Sequence, residues 1–328
     1  MPEALLYLAK KDALQAIKWT RGPLDLVLAA ERKALVPLLR YTHIDRFATQ
    51  APAGLAFDGA SVWVSNYPSN MITKIDVATG SVATIAGGLS GPGALVFDGA
   101  NIWAATDASA IAKIDPATNL VVANVPIAGA SGRKALAFDG THLWVAPSSS
   151  LFVKLVNTVS NAVDGSIIAG TDPTALAFDG KDMWVAYSGT SEVVRIDRTG
   201  IELGSVGVPI AGAPSTMAFD GKNIWVANHD GNTITKIDRE TATVAGTVTG
   251  GGLDGPGALA FDGSHLWVAN YDGKSLAKID PSSNAIVGTM GVGAKPTALA
   301  FDGTHMWVAN YGGNYVSRIP GLPLPPWV

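Results

Sequence analysis

The sequence predicts an all-β fold, a seven-bladed β-propeller of four-stranded blades that is closed by an N-terminal strand. The tripeptide Phe-Asp-Gly recurs at intervals of 40 to 42 residues, and a tryptophan follows each of its phenylalanines by six residues. The phenylalanines are Phe57, Phe97, Phe138, Phe178, Phe219, Phe261 and Phe301. A repeat of about 40 residues that contains several short strands is typical of a propeller blade.

Each repeat divides into four short strands, as the sixth shows with GPGALAFDG, SHLWVANY, KSLAKIDP and NAIVGTMGV. Asp-Gly after an apolar run indicates a tight hairpin, because glycine tolerates positive φ. The Ile-Asp-Pro type of sequence at the end of the third strand indicates the turn that leads to the fourth strand. The second strands are apolar almost throughout, which indicates burial of both faces against neighbouring blades. We expect the repeated tryptophans to pack between those blades.

The seventh repeat ends after its third strand, and the segment IPGLPLPPWV that follows contains too much proline for a fourth one. An open blade edge would be prone to pairing with other chains. The segment at about Arg40 to Thr49 aligns with the fourth strands of the other repeats. The sequence therefore predicts a propeller over residues 40–320, closed by this strand, and a proline-rich C-terminal tail over residues 321–328.

Residues 1–39 show apolar positions at helical spacing, broken at Gly22-Pro23 and again near Pro37, and predict a short helical extension. Residues 1–46 carry eight Lys/Arg and five Asp/Glu, a charge of +3, whereas the remainder carries fifteen and twenty-two, a charge of −7. Three interpretations stay open. The extension packs on the propeller, docks a protein partner or larger assembly, or lies on a membrane surface as a basic amphipathic helix.

Composition excludes several classes of function. The chain has no cysteine, so disulfides, thiolate zinc sites and a cysteine nucleophile are excluded. A net charge of −4 argues against binding of nucleic acid, and no stretch is long and apolar enough for a transmembrane helix. The five histidines lack metal-ligand spacing, and no cofactor motif is present. No signal peptide is visible. The localisation therefore stays open, and an exported or assembly-associated bacterial protein is among the alternatives.

Strings such as FDGSHLWVANYDGKSLAKIDP resemble the bacterial YncE-like and YVTN group of seven-bladed propellers, and are similar to the NHL and virginiamycin B lyase-like propellers. The resemblance covers about residues 40–320. It implies the fold but no single function, since such propellers include lyases, lactonase-like enzymes, ligand binders and scaffolds. The lyase-like relatives use a histidine after a proline in a loop between blades and a glutamate at the end of a second strand. The residues after the corresponding prolines are here Gly93, Thr174, Ser215, Gly257 and Thr297, and no second strand ends in glutamate.

In such propellers the loops between blades and the loops from second to third strands share the face around the channel mouth. On that face the sequence offers aromatic and amide side chains that could bind a sugar, a peptide or another small molecule. These ligand-binding candidates are Asn66, Tyr67, Tyr187, Asn228, His229, Asn270, Tyr271, Asn310 and Tyr311. The alternative is that the asparagines cap turns and the tyrosines cover the blade tops.

No catalytic residue, metal ligand or cofactor is assigned from the sequence. We predict a non-enzymatic binding or assembly propeller, a scaffold whose ligand or partner is engaged by one face, by the N-terminal helices, or by both. The alternative is a lyase- or lactonase-type enzyme with its site at the channel mouth, which would need convergent titratable groups there.

Overall fold

The computed structural model describes residues 44–129, 134–148, 150–168, 170–207 and 214–320. The predicted helical extension over residues 1–39 and the predicted tail over residues 321–328 lie outside these residues. No helix in the described ranges has the length and apolar character needed to cross a membrane.

The described residues form 28 strands and two short 3₁₀ turns at Tyr67–Ser69 and Tyr311–Gly313. After a first strand, β1 (Asp45–Ala48), blades 1 to 3 comprise β2 (Pro52–Phe57), β3 (Ser61–Asn66), β4 (Met71–Asp76), β5 (Val82–Ala86), β6 (Leu95–Phe97), β7 (Ile102–Ala105), β8 (Ala110–Asp115), β9 (Leu120–Pro126), β10 (Lys134–Phe138), β11 (His142–Pro147), β12 (Phe152–Asn157) and β13 (Ala162–Ile168). Blades 4 to 7 comprise β14 (Pro173–Phe178), β15 (Met183–Tyr187), β16 (Glu192–Ile196), β17 (Glu202–Gly207), β18 (Pro214–Phe219), β19 (Asn223–Asn228), β20 (Thr233–Asp238), β21 (Thr243–Thr249), β22 (Pro256–Phe261), β23 (Leu266–Asn270), β24 (Ser275–Asp280), β25 (Ala285–Gly291), β26 (Pro296–Phe301), β27 (His305–Asn310) and β28 (Tyr315–Pro320).

The strands form seven antiparallel four-stranded sheets, and in six of them the strands follow one another in chain order. The first strands of neighbouring blades contact each other, which places them innermost around the central channel. The predicted seven-bladed propeller is therefore confirmed. Because each blade packs against two others, its second strand is buried along its whole length, as in β3 and β19.

The seventh sheet has the order β1-β28-β27-β26, so the N-terminal strand supplies its outer edge. The predicted closure is confirmed, and within the predicted segment from Arg40 to Thr49 the strand comprises Asp45–Ala48. Arg318 on β28 forms an ion pair with Asp45, and the ring of Phe47 lies 5.3 Å from that of Trp307. These contacts join chain segments more than 250 residues apart.

In each repeat, one hydrogen bond joins the aspartate and the tryptophan that mark the repeat in the sequence. The indole Nε1 donates to the carboxylate of the Phe-Asp-Gly aspartate at 2.6–2.9 Å in all seven repeats. The other carboxylate oxygen accepts backbone N–H groups of the turn, as Asp262 does from Ser264 and His265. The glycine after each of these aspartates has φ between +89° and +96°. The spacing of aspartate and tryptophan thus reflects a direct contact.

The tryptophans are buried between blades, as predicted. Trp225 in blade 5 is fully buried and packs in one cluster with Leu259, Leu266 and Val268 of blade 6. A basic residue on the third strand also contacts the indole ring. Lys236 Nζ lies 5.1 Å from the centroid of the Trp225 ring and donates to Pro281 O in the next blade at 2.6 Å.

Candidate ligand-binding cavity at the channel mouth

One end of the channel opens into a cavity of about 870 Å³. Its floor is formed by the innermost strands and the residues just before them, where small side chains such as Ala53, Gly93 and Ala175 prevail. Its walls are formed by the loops that join second to third strands. The cavity therefore lies on the face that the sequence indicated, where loops from all seven blades meet.

Hydroxyl groups on the floor join adjacent blades. Thr174 Oγ1 donates to Pro214 O at 2.7 Å, Ser215 Oγ to Pro256 O at 3.0 Å and Thr297 Oγ1 to Pro52 O at 2.9 Å. These are the positions at which the lyase-like relatives would place a histidine. Because each hydroxyl hydrogen is engaged with a carbonyl, the hydroxyls present mainly oxygen lone pairs to the channel.

In every blade, the residue that lies four positions after the repeated tryptophan lines the wall of the cavity. We call this set the rim ring; its members in blades 1 to 7 are Tyr67, Asp107, Ser148, Ser188, His229, Tyr271 and Tyr311. All four aromatic or imidazole rings fall in the adjacent blades 5, 6, 7 and 1. The remaining arc, in blades 2 to 4, carries one carboxylate and two serines. The cavity is therefore chemically two-sided although its framework repeats.

The imidazole of His229 has a carboxylate near each of its ring nitrogens. Its Nδ1 lies 2.9 Å from Asp230 Oδ1, and its Nε2 lies 3.5 Å from Asp272 Oδ2. Its ring centroid is 6.1 Å from that of Tyr271, and Lys295 Nζ lies 5.6 Å from the Tyr271 centroid. His229 is about one-third exposed, so a ligand in the cavity could reach it.

The other predicted candidates lie one position earlier, three residues after the tryptophan, and point into the blades. Asn66, Asn228, Asn270 and Tyr187 are at most 2% exposed, and Asn310 is fully buried. The amides bond to neighbouring strands and loops, as Asn66 does to Thr73 Oγ1 at 2.8 Å and Asn270 to Gly252 O at 2.8 Å.

The phenol of Tyr187 is packed in the core cluster with Val153, Met183 and Val194. Burial raises its pKa above the usual value, and the ring does not line the cavity. The buried asparagines bond within and between the strands and loops of the blades, and they do not face the cavity. Tyr67, His229, Tyr271 and Tyr311 are the candidates that the structure brings together at the cavity.

Sequence reasoning missed three members of the rim ring, Asp107, Ser148 and Ser188. A signal was present, because counting four residues from each tryptophan selects the whole ring from the sequence alone. Selecting aromatic and amide residues by type instead mixed two adjacent positions with opposite orientations. The spacing carries the information because the strand fixes which side chain points outward.

The described residues contain no group of three or more His, Asp or Glu side chains arranged to hold a metal ion. Titratable groups do converge at one point of the wall, where His229 lies between Asp230 and Asp272. An imidazole beside a carboxylate is a common arrangement in general acid–base catalysis. The geometry is therefore compatible with ligand binding and also with proton transfer.

Exposed large apolar side chains concentrate far from this cavity, on the outer strands of blades 2 to 4 and their turns. Among them are Leu120, Val122, Ile168, Ile201 and Leu203, each at least half exposed. They lie on the outer rim of the propeller and are absent from the lining of the cavity.

Several solved structures share this architecture. The virginiamycin B lyase of Staphylococcus aureus is 16% identical, with 85% of this chain and 99% of that chain covered and a TM-score of 0.75. A catalytically inactive histidine-to-alanine variant of that lyase, solved with quinupristin, gives a TM-score of 0.74 at 16% identity, with 85% and 99% covered. Hydrazine synthase of Kuenenia stuttgartiensis is 18% identical, with 85% and 97% covered and a TM-score of 0.70. At these identities the likeness shows the fold alone.

No curated protein matches the sequence significantly. The YncE-like β-propeller family does match, over residues 32–305, which is most of the chain and includes parts of all seven blades. This match agrees with the resemblance of the repeats and with the seven four-stranded sheets. The chain belongs to the YncE-like β-propeller family.

Proposed function

We propose that this chain is a non-enzymatic binding propeller that holds a ligand in the cavity at the channel mouth. The observation that carries the proposal is the rim ring, which places Tyr271, Tyr311, Tyr67 and His229 in an arc around a cavity of about 870 Å³. Ligand cavities of several hundred Å³ usually combine apolar or aromatic walls with a few polar groups. The hydroxyls of Thr174, Ser215 and Thr297 on the floor are engaged in hydrogen bonds between blades.

Thermal-shift measurements against a panel of sugars, short peptides and organic ions would test this proposal. A hit should raise the melting temperature of the wild type and lose its effect in Tyr271→Ser or Tyr311→Ser. Leu203→Ser, an exposed change on the outer strand of blade 4, serves as the matched control and should keep the effect. A panel without hits, or hits that ignore both rim variants, would contradict a binding role for the cavity.

The second candidate function is that of a lyase- or lactonase-type enzyme, and His229 between two carboxylates is the observation that favours it. In this case the imidazole would act as the general acid or base. Incubation with quinupristin, followed by mass spectrometry, would examine one substrate class. A product formed by the wild type and not by His229→Ala would replace the binding proposal with the enzymatic one.

A further inference from the structure

We infer that the ligand of this cavity is an organic cation, with an ammonium or guanidinium group held beside Tyr271 and His229. The inference rests on the proposed binding function and names the class of ligand. It combines three features of the cavity, namely the sign of its charges, the aromatic arc of the rim ring and the orientation of the hydroxyls on its floor.

The carboxylates are the first of these features, and they concern the part of the lining that the structure describes. Among the described residues that line the cavity, Asp107 and Asp230 are the carboxylates, and there is neither lysine nor arginine. Asp107 forms no ion pair with any described basic side chain, and Asp272 adds a third carboxylate close to His229. Concave sites with charges of one sign concentrate ligands of the opposite sign.

The aromatic arc adds a second attraction for the same kind of group. The face of a tyrosine ring attracts ammonium and guanidinium groups within about 6 Å of its centroid. The protein already places such a group here, since Lys295 Nζ lies 5.6 Å from the Tyr271 centroid. Lys295 is an exposed side chain on the loop before blade 7. A ligand cation would compete with it for the same ring.

The floor of the cavity favours ligand groups that donate hydrogen bonds over ligand groups that accept them. Thr174, Ser215 and Thr297 each use their hydroxyl hydrogen to bond the next blade, so their remaining capacity toward the channel is that of acceptors. An ammonium or guanidinium group carries only donors, and it suits such a floor. An anionic ligand would meet oxygen lone pairs below and carboxylates at the wall.

Choline and its uncharged carbon isostere 3,3-dimethylbutan-1-ol provide a direct test, because they differ in charge and hardly in shape. Isothermal titration of the full chain should show choline binding, with the isostere at least about fivefold weaker. Tyr271→Leu and Asp107→Asn should each weaken choline binding, Tyr271→Leu by about five- to tenfold. Lys295→Gln should strengthen it, because the competing cation is removed. Leu203→Ala, on the outer rim, is the control and should leave it unchanged.

Equal binding of choline and the isostere would overturn the inference, as would unchanged or weaker choline binding in Lys295→Gln. If choline does not bind, whereas maltotriose binds and its binding is weakened in Tyr271→Leu, the inference of a cationic ligand is wrong and the proposed binding function stands. If no member of a broad panel binds, the binding function itself is contradicted. N-acetylarginine amide, titrated alongside choline, separates a preference for guanidinium from one for ammonium, and binding of either cation with the expected variant pattern supports the inference.

Discussion

The two ends of the propeller differ in how far they vary from blade to blade. At the end with the Phe-Asp-Gly turns, all seven repeats carry the same aspartate, the same tryptophan and the same bond between them. At the cavity end, the rim ring changes from tyrosine to aspartate, serine and histidine. Each blade must solve the same packing problem, so its framework repeats, whereas no packing demand explains the variation of the rim.

Removal of the N-terminal strand should have the largest effect on the framework. A chain without residues 1–49 loses β1 and leaves β28 as an exposed edge in blade 7, which favours pairing with other chains. We expect it to aggregate, as size-exclusion chromatography would show. A chain without residues 1–43 keeps Asp45–Ala48 and is the matched control, which should remain monodisperse. A soluble, equally stable chain without β1 would show that closure is dispensable.

Replacement of one of the seven repeated tryptophans by alanine should have the next largest effect on stability. Trp225 is fully buried against blade 6, so Trp225→Ala removes a large core side chain and should lower the free energy of unfolding by about 3–5 kcal/mol. Tyr311→Ala, on the rim ring, should lower it by less than about 1 kcal/mol. Urea denaturation of both variants measures the contrast. A loss below about 1 kcal/mol for Trp225→Ala would mean that the indole is not a core element.

The framework of turns, buried tryptophans and four-stranded blades could be predicted from the sequence because its motifs recur along the chain. The Asp-Gly turn, the buried tryptophan and the missing strand of blade 7 are all visible as spacing. The partner of the basic residue on the third strand is not visible as spacing. Arg195, Lys278 and Arg318 do pair with aspartates.

At other blades the basic residue bonds elsewhere. Lys74 donates to Pro116 O at 2.7 Å, and Lys113 donates to Thr158 O at 2.7 Å, both in the next blade. A sequence shows which side chain carries charge, but a contact between blades depends on how the rigid sheets are juxtaposed. For the same reason the sequence-based selection of candidates mixed buried Asn228 with cavity-lining His229.

The carboxylate of Asp262 allows the framework to be tested by pH. Burial alone would raise its pKa, but hydrogen bonds from Trp267, His265 and Ser264 outweigh burial and hold the pKa below the usual 3.8. A carboxylate with a lowered pKa stabilises the fold above its unfolded-state pKa, and this contribution is lost as the pH falls through the folded value.

Asp262→Asn replaces a charged acceptor and should cost about 2–3 kcal/mol at pH 7. The difference between wild type and variant should then shrink as the pH falls below about 3.8 and through the lowered folded-state pKa of Asp262. Urea midpoints at pH 7, 4 and 2.5 measure this. A difference that stays constant over the range would show that the charge of Asp262 contributes nothing to stability.

The same substitution on the rim ring should have the smallest effect on stability. Asp107 is exposed and pairs with no described basic side chain, so Asp107→Asn should change the free energy of unfolding by no more than about 0.5 kcal/mol. Denaturation of Asp107→Asn beside Asp262→Asn therefore compares one chemical change at the two ends of the propeller. Equal losses would mean that the rim carboxylate is part of the framework, and the cavity would then lose the group whose charge is free to meet a ligand.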